Sequence, residues 1–115
     1  MAQTLPDASL TELLLWLLRR RDRLRVTGRS MVPLLQPGDE VLVNSRAYQT
    51  QPPLPGDIVV ACHPYRDLKL VKRMVGLRGD RCLLSGDNWR ESTDSRQFGA
   101  VPLDRILGRV TCRFG

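Results

Sequence analysis

From Gly28 onward the apolar stretches of this 115-residue chain are short and are separated by turns rich in glycine, proline and aspartate. That punctuation constrains the fold more than any other feature. Helices need ten or more periodic residues, whereas strands of four to eight residues between turn signals build antiparallel sheets. Pro37-Gly38-Asp39 precedes a strand over Glu40–Asn44, and the stiff segment 49–57 precedes a buried strand over Ile58–Cys62. Further strands are expected over 67–75, 82–84 and 106–110, with a turn at 76–80 and a polar loop over 86–99. No alternating helices separate them. The expected architecture is mostly β: a small, partly closed antiparallel barrel or sandwich.

One helix is expected before this region, over residues 9 to about 24. Ser9 and Glu12 have capping-box spacing, and Leu10, Leu13, Leu14, Leu17 and Leu18 recur at helical intervals. Leu15 and Trp16 widen the apolar stripe beyond one packing face. The helix is expected to lie on its own domain, with docking to a membrane, a second copy or a substrate protein as the sharper alternative. The chain divides into this amphipathic helix, 1–24, and one core domain, 25–115, with no inserted second domain.

Composition narrows the function. The net charge of +6 suits an anionic partner or merely a solvated arginine-rich surface. Aromatic content of 5% gives little support for base stacking, so nucleic-acid binding ranks low. Cys62, Cys82 and Cys112 are odd in number and widely spaced, and His63 is the only histidine. They read as reduced thiols of a cytoplasmic protein, with no metal site and no cofactor. The apolar run Leu13–Leu18 is far short of the roughly 20 residues needed to cross a bilayer.

Two lysines stand against sixteen arginines. Arginine cannot be deprotonated in a protein, so a base must come from elsewhere. In a strand, alternate residues share a face, placing Leu68, Leu70, Lys72 and Met74 on one side and Lys69, Val71, Arg73 and Val75 on the other. Lys72 is the only polar member of an apolar row. Burial lowers a lysine's pKa and turns it into a general base. Upstream, Ser30 lies between Gly28 and Pro33, and a serine without a histidine needs such a base.

The series Gly28-x-Ser30-Met31-x-Pro33, Gly56-Asp57-Ile58-Val59-Val60, Val71-Lys72-Arg73-Met74-Val75-Gly76 and Gly86-Asp87-Asn88…Ser92-x-Asp94-Ser95-Arg96 resembles the type I signal peptidases, endopeptidases with a Ser/Lys dyad. The resemblance spans roughly residues 25–110. It implies the catalytic-core fold of that family, with Ser30 as nucleophile, Lys72 as general base and Ser92 orienting the lysine. Asp94 and Arg96 would be a structural ion pair. Gly28, Arg29, Ser30 and Met31 would bind substrate and the oxyanion, although Gly28 lacks the hydroxyl that some members carry there. The implied partner is a protein substrate bound as an extended strand, with small residues before the cut.

The missing anchor and inserted domain narrow the resemblance to soluble minimal members that trim the nickel superoxide dismutase precursor, the nickel belonging to the substrate. A membrane-recruited leader peptidase, with peripheral contact through residues 10–18, is the main alternative. A self-cleaving repressor-like domain and an arginine-rich nucleic-acid-binding β module rank lower.

Overall fold

The structure, a computed structural model, describes residues 5–114. Seven strands form one antiparallel sheet in the order β1-β2-β7-β3-β4-β5-β6. They are β1 Asp22–Arg25, β2 Glu40–Asn44, β3 Ile58–Cys62, β4 Lys69–Arg78, β5 Arg81–Ser85, β6 Val101–Pro102 and β7 Ile106–Phe114. The mostly β, antiparallel expectation holds, and the sheet curls into a half-barrel.

Two cores lie on opposite faces and share β3. Ile58 and Val60 join Val26, Met31, Val41 and Val110 in the first core. Val59 and Ala61 join Met74, Leu84, Phe98 and Val101 in the second. Burial on both faces explains why β3 is an uninterrupted apolar run instead of an alternating one.

The helix is shorter than its leucines promise. α1 covers Leu10–Leu17 and ends in a left-handed Arg19 at φ 61°. Arg19 N–H donates to Trp16 O and Arg20 N–H to Leu15 O, a Schellman closure that satisfies the last carbonyls. Residues 22–24, expected to end the helix, instead form β1 together with Arg25, paired with β2 from Asp22↔Val43 to Arg25↔Glu40. Ser9 caps α1 as expected, accepting from Glu12 N–H at 3.1 Å. The Glu12 side chain does not complete a capping box. It accepts from Arg21 at 3.1 Å and from the Thr111 hydroxyl, tying α1 to β7.

No residue of α1 is buried, and Leu10, Leu14, Leu17 and Leu18 are exposed. The helix touches its domain through Glu12 and through Trp16, which packs edge-on against Phe114 at 4.8 Å. Leu13, Leu15 and Trp16 are half-buried, so part of the apolar surface lies on the domain as expected, while Leu10, Leu14, Leu17 and Leu18 face away from it. Among the described residues, no helix is long and apolar enough to cross a membrane.

Candidate functional site

β4 is paired on both sides only along part of its length. Residues 69–73 pair with β3, but β5 joins only from Arg73 onward. On its β5 side, Lys69–Lys72 therefore presents an edge with no ladder among the described residues. β1, at the end of the sheet, presents another, since its ladder is with β2 alone among the described residues. A cleft of roughly 140 Å³ lies between these edges, lined by Leu24, Val26, Thr27, Val71, Ser30 and Lys72 among others. The two residues singled out for chemistry thus open onto one cleft.

Strand alternation sets Lys72 where the sequence predicted, opposite Val59 and on the face of the second core. It is 3% exposed, and Met74 on the same row is fully buried. Leu68 departs from the expected row: it precedes β4 and is exposed. Lys72 Nζ donates to Ser92 Oγ at 2.9 Å, and Ser92 Oγ donates to Asp94 Oδ2 at 3.1 Å. Burial lowers the Lys72 pKa from its ordinary value. The nearby Asp94 charge opposes that shift, and Arg96 adds to it. A lysine so placed gives up its proton more readily than one in water.

The support beneath Lys72 comes from the segment expected to be a plain loop. Asp94 is fully buried and caps α2, Ser95–Phe98, in a complete capping box with Gln97. Its carboxylate accepts from Gly86 N–H at 3.1 Å, Arg96 N–H at 3.1 Å and Arg96 Nε at 3.0 Å. Burial alone would raise the Asp94 pKa, but these bonds and the Ser92 hydroxyl outweigh it and hold the carboxyl below its usual range. The expected Asp94–Arg96 ion pair is present. Arg96 also donates to Trp89 O at 2.7 Å, fixing the turn before Ser92.

The Ser30 loop is stitched to the same segment. Asn88 N–H donates to Ser30 O at 2.8 Å, and Asn88 Nδ2 to Arg29 O at 3.1 Å. Arg29 pairs with Glu91 at 3.1 Å. Met31, which the resemblance would put among the substrate-binding residues, is 1% exposed in the first core, where it anchors the loop. Gly28 has φ +75°, the left-handed conformation that favours glycine. Two positioning residues escaped the sequence reading. One is Asn88. The other is Gly86, whose absent Cβ would fall 2.5 Å from Ser92 Cβ and 2.7 Å from Ser30 O. Only a glycine lets the Ser30 loop and Ser92 approach each other this closely. The motif Gly-Asp-Asn was visible in the sequence; the close approach was not.

A half-closed antiparallel sheet with a serine and a buried lysine on one cleft defines the structural class. The chain belongs to the signal peptidase, peptidase S26 family, whose profile matches residues 13–84 and 81–114. It is 34% identical over 106 residues to mitochondrial inner membrane protease subunit 1 of Mus musculus, covering 73% of this chain and 63% of that relative. It is 28% identical over 135 residues to signal peptidase I of Leptolyngbya laminosa, covering 77% and 66% of the two chains. For signal peptidase I of Bacillus caldolyticus the identity is 27% over 140 residues, with 77% and 76% covered. The chain thus spans a little under two thirds of the mitochondrial relative's length.

Proposed function

We propose that this chain is a serine endopeptidase that removes an N-terminal leader from a protein substrate, with Ser30 and Lys72 as its dyad. The observation that carries the reading is the buried Lys72, held by Ser92 at 2.9 Å on the cleft that Ser30 also lines. Neutral Lys72 Nζ takes the Ser30 hydroxyl proton as Oγ attacks the scissile carbonyl carbon. The resulting alkoxide-like oxygen is stabilised by donors including the Ser30 backbone N–H. Collapse breaks the C–N bond, and the ammonium returns its proton to the departing amine, leaving an acyl ester on Ser30. Water, deprotonated by the same lysine, then attacks the ester carbonyl; the bond from the acyl carbon to Ser30 Oγ breaks, the ammonium returns its proton to Oγ, and the acid leaves.

Substrate enters as a strand. Leu24–Thr27 and Lys69–Lys72 offer main-chain edges on either side of the cleft, so an extended peptide bridges them by β-augmentation. Leu24 and Val71, packed beside the first core, make a shallow apolar floor suited to small side chains. Ser92 orients the lysine, and Asp94 with Arg96 holds Ser92.

A membrane-recruited leader peptidase is favoured over a protease dedicated to the nickel superoxide dismutase precursor. The relatives named above are inner membrane protease subunits and signal peptidases. The exposed face of Leu10, Leu14, Leu17 and Leu18, followed by exposed Arg19 and Arg20, suits an anionic bilayer surface from the cytoplasmic side. Co-sedimentation with vesicles tests this recruitment: binding that survives high salt and is lost in Leu14→Ser/Leu17→Ser supports it, and no binding refutes it. Incubation with a leader-bearing precursor and with the nickel superoxide dismutase precursor, read by mass spectrometry, decides between the substrates.

A further inference from the structure

The cleft continues past its apolar floor. Leu68 and Lys69 line it, and they also line a second cavity of about 410 Å³ at the β3–β4 hairpin, with His63, Tyr65, Arg66 and Arg105. The two cavities share a wall, and that wall carries a cation. Alternation along β4 puts Lys69 on the same face as Val71, so a peptide that sets side chains on the apolar floor brings later ones to Lys69.

The charge there is uncommitted. Arg25, also on the cleft, pairs with Glu40 at 3.4 Å, and Arg29 and Arg96 pair with Glu91 and Asp94. Lys69, Arg66 and Arg105 are exposed and, among the described residues, make no ion pair. Among the described residues, the single acidic one lining that cavity is Asp67. Three cations against one carboxylate, in a concavity that continues a peptide-binding cleft, form a site for negative side chains.

We propose that Lys69, Arg66 and Arg105 form a cationic extension of the cleft that selects protein substrates with an acidic residue a short distance from the scissile bond. The inference rests on the peptidase reading. Lys69 lies three residues along the strand from Lys72, about 10 Å at strand rise. The acidic side chain therefore belongs roughly three to six residues from the cut, on the side that runs along Lys69.

The test uses paired peptides with one small-residue cut site and Glu or Gln at those positions, placed on each side of the cut in turn. On one side, Glu is expected to raise wild-type kcat/KM about three- to tenfold over Gln, as two or three screened ion pairs would, with the gain shrinking as salt rises. In Lys69→Gln/Arg66→Gln/Arg105→Gln the Glu and Gln peptides should be cut at equal rates. Fluorescence anisotropy of the same peptides on Ser30→Ala measures charge selection without catalysis. Equal binding and equal cutting of Glu and Gln peptides by the unmutated cations, or a Glu preference that survives the triple variant, overturns the proposal. Selective binding with no cutting by wild type would uphold the cationic site and refute the peptidase reading instead.

Discussion

Lys72 Nζ stands 2.9 Å from Ser92 Oγ, and the two side chains are 3% and 8% exposed. An ammonium in that position has exchanged bulk water for one hydroxyl and a carboxylate behind it. The fold therefore holds the lysine under a standing penalty, and that penalty eases its deprotonation.

The first consequence is a trade between stability and activity. Lys72→Met removes the buried amine from a strand row shared with Met74. Cleavage should vanish, while the fold is retained or gains about 1 kcal/mol, since replacing buried charge with a packed apolar chain is often neutral or stabilising. The folded pKa of Lys72 lies below its unfolded value, so the folded state binds fewer protons between the two. Wild-type stability should rise with pH across that window, up to the roughly 10.4 of a free lysine, and the rise should be absent in Lys72→Met. Urea denaturation at several pH values measures both effects; a destabilised Lys72→Met would contradict them.

Activity should follow the same titration. Cleavage should be weak when Lys72 is protonated and rise as pH passes its lowered pKa. Arg96 contributes to that lowering and Asp94 opposes it. Arg96→Gln should therefore move the midpoint of the kcat/KM rise to higher pH, with the shift diminished in high salt because Arg96 is partly exposed. A midpoint that stays put or falls would contradict the electrostatic assignment.

Ser92→Ala leaves Lys72 without its hydroxyl partner. Loss of one hydrogen bond of about 1.4 kcal/mol predicts kcat reduced about tenfold with KM little changed, because Ser92 touches the lysine and not the cleft's apolar floor. A change confined to KM would assign Ser92 to substrate binding.

Gly86→Ala tests the steric junction. Its Cβ would sit 2.7 Å from Ser30 O and 2.5 Å from Ser92 Cβ, so both halves of the site must move apart. Misplacement of about 1 Å costs roughly 10²-fold in rate. Steady-state kinetics on the folded variant should show at least that loss; near-normal kcat would mean that the junction is loose.

The legible parts of this protein were those decided locally. β2 and β3 have the bounds their apolar runs indicate, and alternation alone placed Lys72 inward. β1 was hidden because Asp22-Arg-Leu-Arg offers one apolar residue and continues the arginine cluster of the helix; pairing with β2 overrides that pattern. The segment 86–99 reads as polar loop because its polar residues are spent inside the fold, Ser92 on Asp94 and Ser95 on Leu84 N–H, and only the folded chain shows Asp94 capping α2 and bracing Ser92 together. Glu12 has capping-box spacing, yet Thr111, 99 residues away, takes its carboxylate. Steric fit at Gly86 depends on two distant segments and has no local signature at all.

The dyad is tested most directly by incubating a leader-bearing precursor with purified wild type, Ser30→Ala and Lys72→Ala, and following the N-terminal fragment by mass spectrometry. Wild type should release the leader at a single bond, and neither variant should release it while both retain the wild-type circular dichroism spectrum. Leader release by either folded variant would contradict the assignment of Ser30 as nucleophile and Lys72 as base.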